Sequence, residues 1–304
     1  MSASKPQENA PILTDPDALR HVHARHDRSF TGHRVVYPVV SRRAGGVSLG
    51  INLNPDKICN FDCVYCQVDR SSSSAVPLDG EEAILSHIEP ELKNLIALHR
   101  DGTLFTIAPF DRTPEPLRRL ADIAFSGDGE PSTFRRLPGA VETVIRVKEE
   151  AGLPDLPVVL ITNASGLDRP ETRRALARLD QTGGEVWAKL DAGTEEFFRR
   201  VSRTKVSFEK ILRNILETAR ERPVVIQTCF FAVNGVAPSA DEIRAYVERL
   251  SDLEKGGGKI RAVQIYSVAR NPAEAAVTPL TADVLETIAL EVRNGTGFSV
   301  AVYP

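Results

Sequence analysis

Short apolar runs rich in β-branched residues alternate with amphipathic stretches of helical period along most of this chain, an arrangement that few folds accommodate. Six runs read as strands: SLGINLN near 48–54, LADIAFSG near 120–127, PVVLITN near 157–163, EVWAKLDA near 185–192, VVIQTCFFA near 224–232 and IRAVQIYSVA near 260–269. Between them GEEAILSHIEPELKNLIALH, LPGAVETVIRVKEEAG, PETRRALARLD, SFEKILRNILETARER and SADEIRAYVERLSDLEK read as helices, with Ser207 and Ser239 placed as N-caps. Strand, helix, strand in regular order predicts an α/β fold with a parallel sheet. Right-handed crossovers curl such a series into a doubly wound sheet or a full or partial barrel, with the site at the C-terminal strand ends. A last helix, TADVLETIALEVRNG, and a final strand, FSVAVYP, append to this unit. At 304 residues the chain suits one catalytic domain, and it shows no internal repeat.

The first twenty or so residues are Pro-rich and polar, without periodicity, so the expected organisation is a basic, partly disordered extension over 1–35 and a barrel over 36–304. The N-terminus has neither a secretory nor a transit-peptide pattern, and no apolar run approaches the length that crosses a bilayer, which predicts a cytoplasmic location. A net charge of −3 argues against a surface coated for nucleic acid. One segment departs from that average. Arg20, Arg25, Arg28, Arg34, Arg42 and Arg43 face a single acid, Asp27, with His21, His23, His26 and His33 interleaved, a place where substrate phosphates can dock. The Ser71–Ser74 and Gly256–Gly258 runs read as flexible connections.

Three of the four cysteines, Cys59, Cys63 and Cys66, crowd into eight residues after the first strand. Closely spaced thiolates select zinc or iron–sulfur clusters. A structural zinc site takes four protein ligands, and the loop holds neither a histidine nor a fourth cysteine. An electron-transfer four-iron cluster also takes four cysteines, so three leave one iron open to another ligand. A zinc loop completed by a distant residue such as Cys229 is the competing account.

The spacing C-x3-C-x2-C, with the aromatic Tyr65 before the third cysteine, resembles the signature of the radical S-adenosylmethionine superfamily. That resemblance implies a 4Fe-4S cluster on Cys59, Cys63 and Cys66, an open iron that binds S-adenosylmethionine (SAM), and Tyr65 packed near cluster and adenine. FSGDGEPST, with Gly127, Asp128, Gly129 and Glu130 after a strand, resembles the superfamily's Gly-Gly-Glu element, where a carboxylate and carbonyls accept from the methionyl ammonium. Alone it reads more readily as a tight turn closing a strand. In LITNAS, Asn163 and Ser165 suit either the methionine carboxylate or ribose, or a helix-capping turn.

In WAKLDAG, Lys189 and Asp191 share a sheet face with Trp187, and two charges in an apolar strand need partners. An interior salt bridge and a catalytic or cofactor role for Lys189 and Asp191 are both open. Gln227 and Cys229 share a face, as do Gln264 and Tyr266, with Arg270 and Asn271 beyond them. These are substrate-pocket candidates, and Tyr266 is a candidate catalytic residue.

Together VVSRRAGGVSLGINLNPDKICNFDCVYCQVD, FSGDGEPST, ITNAS, WAKLDAGTEEFFRRVSRT and VQIYSVARNPAEAAVTPL resemble a group of short radical SAM proteins related to the wyosine-base synthases of tRNA, over roughly residues 36 to 304. The resemblance implies a partial (β/α)6 barrel, oxygen sensitivity, and an electron donor such as a flavodoxin or ferredoxin. Wyosine-base synthases use a second cluster, for which this chain has too few spare cysteines. The expected function is reductive cleavage of SAM to a 5'-deoxyadenosyl radical acting on a small-molecule substrate. Modification of a tRNA base and a non-catalytic iron–sulfur or zinc protein are the alternatives.

Overall fold

The computed structural model describes residue 28 and residues 30–70, 80–270 and 272–304. Among these residues ten strands form, in chain order β1 (Val36–Ser41), β2 (Gly46–Ile51), β3 (Leu120–Phe125), β4 (Val158–Thr162), β5 (Glu185–Lys189), β6 (Val224–Cys229), β7 (Phe231–Val233), β8 (Ile260–Tyr266), β9 (Val277–Pro279) and β10 (Val300–Tyr303). Helices α1 (Gly80–Arg100), α2 (Leu137–Glu150), α3 (Pro170–Asp180), α4 (Glu195–Ser202), α5 (Phe208–Glu221), α6 (Ala240–Lys255) and α7 (Ala282–Thr296) lie between them. Side chains of Thr194, Ser207, Ser239 and Thr281 accept from backbone N–H groups in the first turns of α4, α5, α6 and α7, as N-caps do.

The main sheet runs β1-β2-β3-β4-β5-β6-β8-β10. All neighbours are parallel except β1, which doubles back on β2 with Val36 opposite Ile51 and Ser41 opposite Gly46. This curled sheet is a partial barrel, as the alternation predicts. β1 carries Pro38, which has no N–H to donate, and β1 is an edge strand, where that loss is tolerated.

One sheet face is continuous apolar surface. Leu49, Ile51, Ile123, Phe125, Leu160, Ile226, Val263 and Ile265 are buried against Ile88, Leu92, Val144, Leu176, Ile215, Leu250 and Ile288 of the helices. Each fully buried side chain of that size contributes about 1.5–3 kcal/mol, so this outer layer holds the fold. The inner face is thereby freed for polar residues. It carries a small apolar floor of Ala124, Val159, Trp187 and Val225, and otherwise Ser48, Asp122, Lys189, Gln227 and Tyr266.

The chain departs from the sequence reading in several places. β6 ends at Cys229, because Phe231–Val233 leaves the sheet to pair antiparallel with β9 as a separate ribbon. Gly256, Gly257 and Gly258 donate to the carbonyls of Asp252, Glu254 and Leu253, so the glycine run is a hydrogen-bonded helix end and not a flexible connection. Within the expected extension, Phe30 packs on Phe110, and both Glu91 oxygens take the N–H groups of Arg34, Val35 and Val36. Most of the extension, the Ser71–Ser74 run and Asn271 lie outside the described residues. Among the described residues no helix is long and apolar enough to cross a membrane.

Candidate active site

The cysteine loop leaves the end of β2 and is fastened at several points. The N–H groups of Asp62 and Val64 donate to the carbonyls of Ser202 and Val201 at the end of α4, at 3.1 and 2.9 Å. Phe61 meets Phe198 of the same helix edge-on, and Thr204 Oγ1 donates to the Asn60 carbonyl. Asn60 is gripped by its side chain as well, donating to Ser165 Oγ at 2.7 Å and accepting from Asn163 Nδ2 at 2.9 Å. Asn163 and Ser165 thus position the loop, and Asn163 also lines the cavity below it, whereas Ser165 stands behind. Cys59, Cys63 and Cys66 are unbridged and half-buried, and all three line that cavity.

Burial pushes the Cys63 thiol up to about 12 and raises that of Cys59. Such thiols become thiolates when a metal supplies the compensating charge. Among the described residues no group of three His, Cys, Asp or Glu side chains stands close enough to hold a single metal ion. A cluster takes each thiolate on a different iron, and the soft three-sulfur donor set suits it.

Gly127 and Gly129 lie against the stem of this loop. A Cβ on Gly127 would strike the Asn52 side chain, and one on Gly129 would strike the Ile58 carbonyl and Asn54. Between them Asp128 accepts from Asn52 Nδ2 at 2.7 Å and pairs with Arg28 at 3.0 Å. Glu130 accepts from Ser132 N, Thr162 Oγ1 and Asn163 N at 3.0, 2.6 and 2.6 Å. Burial raises its carboxyl pKa against the pull of these donors. All four residues line the cavity, while both carboxylates also tie strand ends together.

Asp191 is the hub of the interior. It pairs with Lys189 at 3.1 Å, accepts from Tyr65 OH at 2.5 Å and takes the Cys229 N–H at 2.7 Å. Lys189 also donates to Tyr266 OH at 2.7 Å, with the rings of Tyr65 and Tyr266 about it at 5.1 and 5.3 Å. Burial lowers the lysine's pKa, but Asp191 and Tyr266 more than offset it, so the ammonium is held well above its ordinary value. Through Tyr65, one residue before Cys66, the cysteine loop touches this charged centre directly.

The cavity encloses about 280 Å³. On its wall Gln227 Nε2 donates to Gln264 Oε1 at 2.7 Å, while the buried Gln227 Oε1 has no partner among the described residues. Such an orphan acceptor is available to a ligand donor. Ser48 Oγ donates to Asp122, a pair that strand register places side by side. These two were not singled out from sequence, and neither were Asn52, Asn60 and Arg70. An acid inside an apolar strand was the available signal for Asp122.

Burial pushes the Asp122 carboxyl from 3.8 up to about 6. Folding therefore favours its protonated form: the contribution is complete below the ordinary carboxylate pKa and is lost as pH rises through about 6, for a total of up to about 3 kcal/mol. Asp122→Asn is expected to flatten the pH dependence of urea unfolding across that window and to be the more stable form on its alkaline side. Superimposable profiles for the two proteins would reject this account.

The family model of the radical SAM superfamily matches residues 53–250, well over half of the chain. The chain belongs to the radical SAM superfamily. This radical SAM protein is 29% identical over 189 residues to a protein named GTPase Obg of Brachyspira hyodysenteriae, covering 62% of the chain and 23% of that protein. It is 29% identical over 184 residues to a UPF0026 protein of Methanocaldococcus jannaschii, covering 59% and 47%. A UPF0026 protein of Helicobacter pylori matches at 24% over 218 residues, covering 71% and 61%. The chain thus spans less than two thirds of the length of each. Among solved structures, a radical SAM methyltransferase from Sphaerobacter thermophilus superposes with a TM-score of 0.58 at 14% identity, covering 88% of this chain and 69% of the other. TYW1 with a lysine–pyruvate adduct bound gives 0.52 at 17% identity, covering 94% and 83%. At such identities the likeness is one of fold.

Proposed function

We propose that this protein is a radical SAM enzyme in which Cys59, Cys63 and Cys66 hold a 4Fe-4S cluster, SAM ligates the remaining iron, and an organic substrate occupies the cavity below. The observation that carries this reading is a fastened loop whose three cysteines all line one cavity with polar strand ends for walls. When bound, cluster and SAM supply reductive cleavage of the sulfonium to a 5'-deoxyadenosyl radical, fed by a donor such as a flavodoxin or ferredoxin.

The chain's own residues do the rest. Tyr65 fixes the loop relative to Asp191, and Asp191 holds Lys189 as an ammonium facing the cavity. Held by Asp191 as an ammonium, the lysine donates hydrogen bonds and stabilises negative charge, and in that state it does not attack a carbonyl. The reading therefore gives Lys189 a polarising role beside the Tyr266 hydroxyl, and not the covalent adduct that the TYW1 structure carries. Gly127, Asp128, Gly129, Glu130 and Asn163 form the adjoining wall, the part of the cavity suited to the methionyl end of SAM.

Reconstituted anaerobically with iron, sulfide and dithionite, the protein is expected to convert SAM to 5'-deoxyadenosine, and SAM is expected to shift the electron paramagnetic spectrum of the reduced cluster. An intact cluster that gives neither result refutes the proposal. Methylthioadenosine as product would instead mark transfer of the aminocarboxypropyl group. A second reading, modification of a tRNA base, draws on the arginines lining the cavity. It requires tRNA binding that weakens steeply with salt, and a gel shift without such binding removes it.

A further inference from the structure

Five guanidinium groups line the cavity, from Arg28, Arg42, Arg43, Arg70 and Arg270. Two are already engaged by their surroundings. Arg28 is paired with Asp128, and Arg70 is spent on the carbonyls of Lys57 and Asp128 and on Cys66 Sγ. The remaining three have no side-chain carboxylate as ion-pair partner among the described residues. Arg42 donates to the main-chain carbonyl of Ser267, at 3.3 Å, and to the main-chain oxygen of Pro304, the last residue of the sequence. Arg270 donates to Gln67 Oε1 at 3.1 Å. Arg43 lies over the Tyr266 ring at 4.6 Å, with no hydrogen-bond acceptor among the described residues.

These three groups feel one another. Burial and then the charges of Arg28, Arg43 and Arg42 push Arg270 down to about 10, and burial followed by Arg43 lowers Arg42. Like charges gathered in a partly desolvated space raise the free energy of the site unless an anion joins them. On the strand side Asp122 feels the charge of Arg43, and it is bound to Ser48. Guanidinium groups gathered in this way favour a multiply charged anion, such as the roughly −1.5 to −2 of a phosphate monoester, over a single carboxylate. Planar guanidinium forks also suit phosphate oxygens, and Arg43 reaches them from the cavity wall where an enclosed small molecule would lie.

We propose that Arg42, Arg43 and Arg270 seat the phosphate group of a small phosphorylated substrate. The proposal rests on the radical SAM reading for the cavity's being a substrate site. The Tyr266 ring under Arg43 bears the hydroxyl that accepts from Lys189, so the seat lies one aromatic ring from the Lys189–Asp191 centre. The phosphate would thus anchor one end of the substrate while the remainder reaches toward the cysteine loop.

Equilibrium dialysis of the reconstituted protein against radiolabelled orthophosphate, with acetate at matched ionic strength as comparator, tests this. Saturable orthophosphate uptake is expected, with weaker acetate uptake. Arg43→Gln and Arg270→Gln are each expected to weaken orthophosphate binding by about tenfold or more, while Arg43→Lys, which keeps the charge and loses the fork, falls between. SAM affinity, measured by the same dialysis, is expected to stay within about twofold of the parent, and the thermal melt confirms that each variant is folded. Equal uptake of the two anions, indifference to both Gln variants, or a parallel loss of SAM affinity overturns the seat. Orthophosphate binding that intact tRNA displaces, with Arg43→Gln abolishing tRNA binding, overturns the small-molecule assignment. A protein that cleaves SAM yet takes up no orthophosphate refutes the seat alone, and one that takes up orthophosphate without cleaving SAM refutes the radical reading alone.

Discussion

Cys63→Ala is expected to leave a folded chain that acquires no cluster absorption on reconstitution and forms 5'-deoxyadenosine at background. The fold does not need the thiol, because the loop is held by the Asp62 and Val64 main chain, by Asn60 and by Phe61. The cluster does need it, since two cysteines leave two irons unprotected by protein. Removing an outer partner of a metal site lowers affinity by roughly 10–100-fold, so deletion of a ligand should exceed that range. Asn60→Ala supplies the comparison, with an unaltered donor set and loss of the side-chain tether to Asn163 and Ser165 together with the long contact from Cys59 Sγ. Iron and sulfide content, read beside far-ultraviolet circular dichroism, checks both variants. A Cys63→Ala protein that still binds a cleavage-competent cluster would contradict the ligand assignment.

The second large effect concerns stability. Asp191→Leu is expected to destabilise the protein by about 3 kcal/mol in urea unfolding, the low end of the range for stripping one partner from a buried ion pair. The low end applies because the Lys189 side chain keeps 19% of its surface exposed. The loss has several parts: an unpaired ammonium, a Tyr65 hydroxyl without its acceptor and an orphaned Cys229 N–H. Adding Lys189→Met should recover the ionic part and leave about 1–2 kcal/mol for the other two donors. Strict additivity of the two substitutions would mean that Lys189 and Asp191 are energetically independent.

How much of this was legible in the sequence depended on where each signal resides. The parallel strands follow from alternation and length, and their inner and outer faces follow from the two-residue period, which puts Trp187 and Lys189 on one face, whereas Asp191 lies just past the end of the strand and reaches Lys189 from there. β1 was missed, since Pro38 and the adjoining arginines mask an apolar run that survives as an edge strand. Helix α4 was missed because eight residues give barely two turns of periodicity, although Thr194 is a sound N-cap. Strands were drawn too long at Phe230 and beyond Tyr266, where apolar residues continue past the sheet to build the rim. The three cysteines were readable because their ligands are local in sequence. The Asp191 hub was not, since Tyr65, Lys189, Cys229 and Tyr266 come from four separate segments that only the fold brings together. The arginine segment pointed toward phosphate, yet Arg270, from the other side of the sheet, was needed to complete the grouping.

One further property follows from the apolar floor. The chain has a single tryptophan, and Trp187 sits in that floor with its indole N–H donating to Glu185 at 2.9 Å and 6% of its surface exposed. Its emission therefore arises from one known spot beside the cavity, with no second indole to subtract. The molecule carries its own optical gauge of occupancy, and a ligand that reaches the inner wall will change the colour or intensity of that light without any label being attached.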